Sequence, residues 1–462
     1  MARPSRLAEQ ALAIRQALKA GPCTGAALAQ GLGVSQPTLS RALAAMGGEV
    51  LRTGAGVSIH YAVRDKGRGL PDMAVFQVDA QGRASDLGRL CPVRPQGWVF
   101  EVAAPSVRGG RLSATYSEGL PWWMQDMLPQ GYLGRAYAVQ VAPALGLPAS
   151  LSDWGETQAL QALLRHGQDA PGNLLLGEAM RDAFVSAAEP VAVRLADRAV
   201  AYARMSEQAA RGELPASSAG GEQPKFLAYA EDETAKSRHV LVKFSVLEDH
   251  PVSRRWRDLL LAEHHALQTL RRAGIAAAAS TVIDQGHQRF LEVERFDRVG
   301  PRGRHALFSL AALEAEFLGD ATSPWPVLAA RLAQAGLITR EAADRACLLY
   351  AYGTLIGNTD MHHGNLSFMS DVGKPYSLAP AYDMLPMGLA PRSGGGLPTE
   401  LPRSALRAAV PNAVWHQALS LALDWRANLA LDTRFSADWP VCLKALDEHL
   451  TRLGEQVCRL AV

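Results

Sequence analysis

The tightest constraint on this chain is a spacing. Asp360 and Asn365 stand with four residues between them in Gly357-Asn358-Thr359-Asp360-Met361-His362-His363-Gly364-Asn365-Leu366-Ser367-Phe368, and Asp383 follows within Leu378-Ala-Pro-Ala-Tyr-Asp-Met-Leu-Pro. Phosphoryl transfer requires a carboxylate to orient and deprotonate the attacking hydroxyl. It also requires oxygen ligands that hold magnesium on the nucleotide phosphates. Kinases place the base and one metal ligand on a single loop at this spacing, and the second metal ligand on a later turn. A chain that needs all three must bring a loop and a distant turn to one cleft. His362 and His363 read as loop hydrogen-bonders, because magnesium prefers oxygen. Asp360 and Asn365 also have the bland reading of turn residues that cap a loop.

A nucleotide site also needs a cation on a strand. Val240-Leu241-Val242-Lys243-Phe244 offers Lys243 in an otherwise apolar run, where an ammonium is costly unless it reaches a partner such as a phosphate. Glu263, in the helix that follows, is either its ion-pair partner or a solvated helix charge. Upstream, Ser217-Ser218-Ala219-Gly220-Gly221-Glu222-Gln223-Pro224-Lys225 is a flexible loop before a strand. Its backbone N–H groups suit phosphate, although it is neither a Walker A sequence nor G-x-G-x-x-G.

At 462 residues the chain is too long for one compact core, and two to four domains are expected. With 48% apolar and 20% charged residues it reads as a globular protein. It has no apolar run long enough for a membrane span and no apolar secretory leader, so a cytoplasmic location is expected. Its five cysteines, Cys23, Cys91, Cys347, Cys442 and Cys458, are scattered without a C-x-x-C pair; reduced, mostly buried thiols are expected rather than a zinc site. Net charge is +2 but uneven, since residues 1–68 hold nine Lys/Arg against three acids. A basic head on a slightly acidic body suits a polyanionic partner.

The head has its own pattern. Residues 6–20 carry Leu7, Ala11, Ile14 and Leu18 at helical spacing, and Gly21-Pro22 ends that helix. A short helix from Thr24 to Gly31 follows. Leu32-Gly33-Val34-Ser35 is then a tight turn ending in an N-cap, with Pro37 tolerated in the first turn of the next helix. Residues 50–63 alternate around Thr53-Gly54-Ala55-Gly56 as a hairpin wing. The stretch from Leu28 to Leu43 resembles the helix-turn-helix of bacterial winged-helix regulators. On that reading Gln36, Thr38, Ser40 and Arg41 face base edges and phosphates of double-stranded DNA in a major groove, and Arg52 reaches the backbone. The competing reading is a helical hairpin for protein contact.

Lys66 to Pro71 reads as a linker. Residues 70–150 are mixed, with a strand at Trp98-Val-Phe-Glu-Val and a helix opening at Pro121-Trp122-Trp123 and running to Met127. Residues 153–210 read as helical. Strands are expected at 226–230, 239–245 and 289–296, with a helix at about 255–273 between them. From 308 onward the chain reads as mostly helical, broken by the loop 357–365 and by a strand and turn at 376–386.

Taken together, Gly221-Glu222-Gln223-Pro224-Lys225, Val293-Glu294-Arg295-Phe296-Asp297-Arg298, the Gly357–Asn365 loop and Ala381-Tyr382-Asp383 resemble, in order, the motifs of the HipA family of serine/threonine kinase toxins, with the fused head of its YjjJ-like members. The resemblance runs from about residue 75 to about residue 450. It implies an α+β chain: a winged helix-turn-helix at 1–66, a HipA N-terminal subdomain and helical connector at 70–210, a nucleotide-binding N-lobe at 211–300, and a mostly helical C-lobe at 301–462. It implies ATP and Mg2+ as cofactors. Asp360 would be the catalytic base, and Asn365 and Asp383 the magnesium ligands. Lys243 would contact the phosphates, with Glu263 beside it and Gly221, Gln223 and Lys225 in the nucleotide loop. Glu294 and Phe296 would form the strand that links the lobes, where adenine sits. Ser218, or its neighbour Ser217, would be an autophosphorylation site that switches the kinase off.

The implied activity is transfer of the ATP γ-phosphate to a protein hydroxyl, on a translation component such as an aminoacyl-tRNA synthetase. Implied partners are operator DNA, a separate antitoxin and a second copy in a homodimer. Two departures stand out. Gly364 occupies the place of a common lysine before the metal-binding Asn, and residues 301–319 fit the pattern poorly, although they can lie near the substrate. The fused head also puts the need for a separate antitoxin in question. The alternatives are a DNA-binding regulator whose kinase-like body only senses nucleotide, and a magnesium-dependent nuclease.

Overall fold

The computed structural model describes residues 6–54, 59–103, 114–212 and 223–461. Three helices and a small sheet form the head: α1 (Arg6–Leu18), β1 (Cys23–Thr24), α2 (Gly25–Gly31), α3 (Gln36–Met46), β2 (Val50–Thr53) and β3 (His60–Val63). The strands pair antiparallel in the order β1-β3-β2. Thr24 and Ser35 cap α2 and α3, each accepting a backbone N–H three residues on, which is worth about 1 kcal/mol per cap. Gly33, at φ +62, makes the turn between the two helices and supplies the left-handed backbone that other residues disfavour. Ile14, Leu18, Leu28, Leu39, Ala42 and Met46 form the core. Leu7, expected on the buried stripe of α1, remains 48% exposed.

The segment after β3 is packed, where the sequence reads as a linker. Arg68 lies over the Trp98 ring at 4.7 Å and donates to the Gly97 and Val93 carbonyls, and Leu70 is buried. The head also shares backbone hydrogen bonds with the next sheet, from Asp65 to Pro92 and from Arg94 to Val63. Leu51 and Ala62 join Cys91, Val93, Val99 and Ala114 in one apolar cluster. The hydrophobic pattern therefore does not end at the head.

The middle region is a five-stranded antiparallel sheet in the order β7-β6-β5-β4-β8, with helices beside it. Its elements are β4 (Met73–Val78), β5 (Ala84–Pro92), β6 (Trp98–Val102), β7 (Ala114–Ser117), α4 (Gly131–Leu145), α5 (Glu156–His166), β8 (Leu174–Leu176), α6 (Glu178–Ser186) and α7 (Arg198–Ala210). The helix expected to open at Pro121-Trp122-Trp123 and run to Met127 is present as a 3-10 helix. One expectation is corrected here. The stretch 153–210 is interrupted by β8, three leucines buried on every side, and a short apolar run cannot be told from a helical one by period alone.

A four-stranded antiparallel sheet follows, in the order β11-β12-β10-β9. It comprises β9 (Lys225–Glu231), β10 (Ser237–Phe244), β11 (Ser280–Gln285) and β12 (Gln288–Glu294), with α8 (Pro251–Arg272) crossing between β10 and β11. Short pieces β13 (Arg298–Val299), β14 (Gly303–Arg304) and β15 (Leu307–Ser309) lead into the helical lobe, α9 (Leu310–Phe317), α10 (Trp325–Gln334) and α11 (Arg340–Leu355). After the 357–365 loop come β16 (Ser367–Met369), β17 (Ser377–Leu378), α12 (Asn412–Leu431) and α13 (Trp439–Cys458). One large core joins α8 to these helices through Leu259, Leu267, Trp325, Tyr352, Trp415 and Trp439. Among the described residues no helix is long and apolar enough to cross a membrane.

Candidate active site

Alternation along β10 puts Val240 and Val242 into the small-lobe core and aims Lys243 the other way, towards α8. There its ammonium bonds both oxygens of Glu263, at 2.7 and 2.9 Å, and also Asp383. Glu263 is thus the partner of Lys243 and no solvated helix charge; it is wholly buried. Burial alone would lower the lysine's pKa, but Asp383 and Glu263 raise it, so the ammonium stays charged. Burial raises Glu263 above the usual carboxylate range, against the pull of Lys243. Burial also works against Asp383, but Lys243 and Lys225 hold it below that range. Lys225, buried, stands opposite Lys243 in the β9–β10 register.

The 357–365 loop brings Asp360 and Asn365 to the same end. Gly357, at φ +78, starts it where a Cβ would meet Leu401 at 2.8 Å. Asn365 donates from Nδ2 to the Asp360 carbonyl at 2.8 Å. Partial burial raises the Asp360 pKa, and the charge on Asp383 raises it further, while His362 and the two lysines oppose this. Asp383 sits at φ +53, an unusual backbone for a side-chain-bearing residue, and such outliers persist where surrounding structure enforces them. Asn358 enforces this one. Buried in the loop, it donates to the Asp383 carbonyl at 3.1 Å and accepts from the Asp360 N–H at 3.0 Å. It ties the two aspartates together, and the sequence reading passed over it. His362 accepts from the Gly364 N–H, and the His363 ring meets the Ser323 carbonyl at 2.9 Å, in keeping with loop hydrogen-bonders.

A cavity of about 480 Å³ opens between the small sheet and the helical lobe. Leu241, Val293 and Phe296 give it apolar walls; Lys243, Lys225, Asn365 and Asp383 line it too. The Phe296 ring packs on Tyr382 at 5.6 Å, and Tyr382 donates to the Gly364 carbonyl at 2.8 Å. Glu294 lines the cavity with its side chain drawn towards Arg238, 3.6 Å away. Leu307, Ser309, Ala311, Ala312 and Ala315 also line it, so the poorly matching segment after Arg298 does reach the site. Gln223 is half-buried with its Nε2 unpartnered among the described residues. Gly221, Ser217 and Ser218 lie outside the described residues.

The residues fit a magnesium nucleotide. Three carboxylates, Glu263, Asp360 and Asp383, outnumber the two lysines beside them, which leaves charge for a divalent cation to balance. Among the described residues no three His, Cys, Asp or Glu side chains form a metal cage. Magnesium is usually held by one or two carboxylates together with substrate phosphates and water, so the Asn365 and Asp383 pair suits it.

Just past β12, which ends at Glu294 and leaves Phe296 in a turn and not in the expected linking strand, a second charged cluster begins, and its Arg295 and Asp297 line the cavity as well. Arg295 bonds both oxygens of Asp169 at 2.9 Å and pairs with Asp297 at 3.0 Å. Arg298 reaches Asp297 at 2.7 Å, Asp169 at 2.8 Å, and the Ala170 and Gly172 carbonyls. Burial would raise the Asp169 pKa, but Arg295, Arg298 and Arg304 bring it down to about 2. In Arg304, burial and the neighbouring Arg298 lower the pKa to about 9.

In the head, Gln36, Ser40, Arg41 and Arg52 are exposed, and Thr38 is half-buried with its hydroxyl 2.9 Å from Ser35 Oγ.

Residues 70–185 match the family described as YjjJ-like toxin, middle domain, and residues 217–450 match the HipA-like C-terminal domain. The chain is 36% identical over 441 residues to Toxin YjjJ of Escherichia coli (strain K12), covering 95% of this chain and 97% of that one. A solved chain from the Shewanella oneidensis MR-1 toxin–antitoxin complex of HipA, HipB and its operator DNA superposes with a TM-score of 0.51. That likeness spans 84% of this chain and 100% of the other at 16% identity, and so shows a shared fold. A Helicobacter pylori proinflammatory kinase, CtkA, is matched at a TM-score of 0.38 and 14% identity, over 53% of this chain and 94% of its own.

Proposed function

The chain belongs to the HipA family of toxins, with YjjJ-like members among its relatives, and from that premise we propose that it is an ATP-dependent serine/threonine protein kinase with a DNA-binding head. The observation that carries the reading is Lys243 held between Glu263 and Asp383 at a cavity that Asn365 also lines. Kinases need that set to hold phosphates and metal against an acceptor.

Leu241, Val293 and Phe296 suit a flat base, and the backbone around Glu294 and Phe296 suits its polar edge. Lys243 and Lys225 hold phosphate oxygens, helped by Gly221 and Gln223 at the loop before β9, while Glu263 keeps the Lys243 ammonium in place. Asn365 and Asp383 hold magnesium, which when bound neutralises charge on the phosphates. Asp360 accepts the proton of the acceptor hydroxyl as its oxygen forms a bond to the γ-phosphorus. The bond from that phosphorus to the β–γ bridging oxygen breaks, and ADP leaves with the electron pair. A carboxylate with a raised pKa is a better base for this than an ordinary one. Ser218, or Ser217, is the autophosphorylation site on this reading. The protein substrate is a translation component, such as an aminoacyl-tRNA synthetase.

The head reads as a winged helix-turn-helix. Its support is the order of three helices and a hairpin, the capped α3, and Gln36, Ser40, Arg41 and Arg52 exposed on a basic segment. Thr38 contributes less, being drawn towards Ser35. The solved HipA complex contains HipB and operator DNA, and both kinds of partner are proposed here.

The test is transfer of the γ-phosphate from ATP with magnesium in a cell extract, wild type beside Asp360→Asn. Label on a discrete protein, or on Ser218, with wild type only is the expected result. Measurable ATP binding without transfer by either protein would leave a nucleotide-sensing regulator instead.

A further inference from the structure

Part of the cavity wall comes from the middle region, through Gln125, Asp126 and Gln130. The 3-10 helix that carries the first two is fixed on both sides. Trp122 packs on Phe308 at 4.9 Å and on Phe317 at 5.3 Å in the helical lobe. Its neighbour Trp123 packs on Phe100 at 5.1 Å, in β6. The turn is a bridge between the two regions, and Asp126 is held where it enters the cavity.

Asp126 is anchored there by one residue. The Ser309 backbone N–H donates to its Oδ2 at 2.7 Å, and the Ser309 hydroxyl, which caps α9 by accepting from Ala312, acts on it as well. Burial raises the Asp126 pKa, and the two hydrogen-bonding groups of Ser309 only partly offset it. Among the described residues no Lys, Arg or His acts on this carboxylate. The α9 residues nearby in the cavity, Ala311, Ala312 and Ala315, have no polar side chain to offer. This half-buried carboxylate gains from further hydrogen-bond donors, and a ligand in the cavity that it lines can supply one. A phosphate beside it is disfavoured by like charge, because no Lys, Arg or His among the described residues offsets it there. A hydroxyl fits, because it brings a donor and no charge.

Resting on the kinase reading, we infer that Asp126 is a ligand-binding residue supplied by the middle region, which accepts a hydrogen bond from a hydroxyl of the bound substrates. Two hydroxyl sources share this chemistry: the ribose of the nucleotide and the side chain of the protein acceptor.

The experiment compares wild type and Asp126→Asn in three measurements. These are binding of magnesium ATP, binding of magnesium 2′-deoxy-ATP, and the extract concentration giving half-maximal γ-phosphate transfer. If the ribose is the partner, wild type prefers ATP to the deoxy analogue, and the variant loses about tenfold in ATP affinity together with that preference; tenfold corresponds to about 1.4 kcal/mol. If the acceptor is the partner, nucleotide affinity is unchanged and the half-maximal extract concentration rises about tenfold. A folded variant equal to wild type in all three overturns the inference while the kinase reading stands. If wild type binds no nucleotide, the kinase reading fails first and this inference falls with it. Should Asp126→Asn not fold, Asp126→Glu replaces it with the same expected losses, since one added methylene displaces the accepting oxygens.

Discussion

Two clusters of charge reach the cavity, one around Lys243 and one just past the end of β12, and they are built to different ends. Around Lys243, two carboxylates share one ammonium, and Asp383 and Lys243 border the cavity. Around Arg298, each carboxylate meets two guanidinium groups, and backbone carbonyls of residues 170 and 172 take further donors. The first cluster has carboxylate to spare for a ligand's cation. The second also reaches the cavity through Arg295 and Asp297, but each of its carboxylates is answered by guanidinium groups, and it clamps the middle region to the segment just past β12. Buried ion pairs are weak evidence of either stability or function on their own. What separates the two here is whether the charges are answered within the protein.

The comparison makes graded predictions. The largest effect belongs to Asp360→Asn. Phosphate transfer should fall by about a hundred- to ten-thousandfold, the usual range for a lost general base, while the melting temperature stays where it is. A variant that lost activity only by melting early would erase the distinction between the clusters.

Asp297→Ala should do the reverse. It leaves Arg295 and Arg298 short of their buried counter-charge, and breaking such a pair costs about 3–5 kcal/mol. Urea unfolding would show that loss, and transfer per folded molecule should change much less than it does in Asp360→Asn.

Asp169→Asn should be milder, because its carboxylate is 40% exposed, and surface screening leaves such pairs about 1 kcal/mol or less. Its pH dependence has a definite sign. The folded pKa lies below the unfolded one, so the stability is fully present above about pH 4 and is lost as pH falls through about 2. The gap between wild type and variant in urea midpoint should therefore be widest near pH 7 and shrink below pH 4. A gap that grew on acidification would show the carboxylate is not held down by the arginines.

Ser35→Ala lies far from both clusters and sets the baseline. It removes the α3 cap and the Ser35–Thr38 hydroxyl contact, and the head should lose about 1 kcal/mol with no change in phosphate transfer.

Motif spacing made one cluster legible and hid the other. Lys243, Asp360, Asn365 and Asp383 could be named as candidates, because reaction chemistry demands those residue types in that order, while Glu263 stood open between an ion pair and a solvated helix charge. The roles of Arg295, Asp297 and Arg298 were not legible, although they sit in a quoted motif: the carboxylate that the two arginines share besides Asp297, Asp169, comes from more than a hundred residues upstream with no spacing rule to connect them. Asn358 escaped notice because an asparagine after glycine looks like any turn residue. The supposed linker at Lys66–Pro71 failed on composition, since glycine and charge suggest flexibility while Arg68 covers Trp98.

The sequence by itself determined the elements whose signals are local: the capped helices of the head, the β10 strand with its single lysine, and the order of the candidate-site motifs. Capping, periodicity and turn chemistry act within a few residues, so they can be read without a fold. Only the tertiary structure decided that Glu263 answers Lys243, that β8 interrupts a stretch that reads as helical, and that the middle region brings Asp126 to the cavity. Each of those depends on long-range packing, such as Trp122 seated among the aromatics of another lobe. Burial and counter-charge are properties of neighbours in space, and a sequence lists neighbours only along the chain.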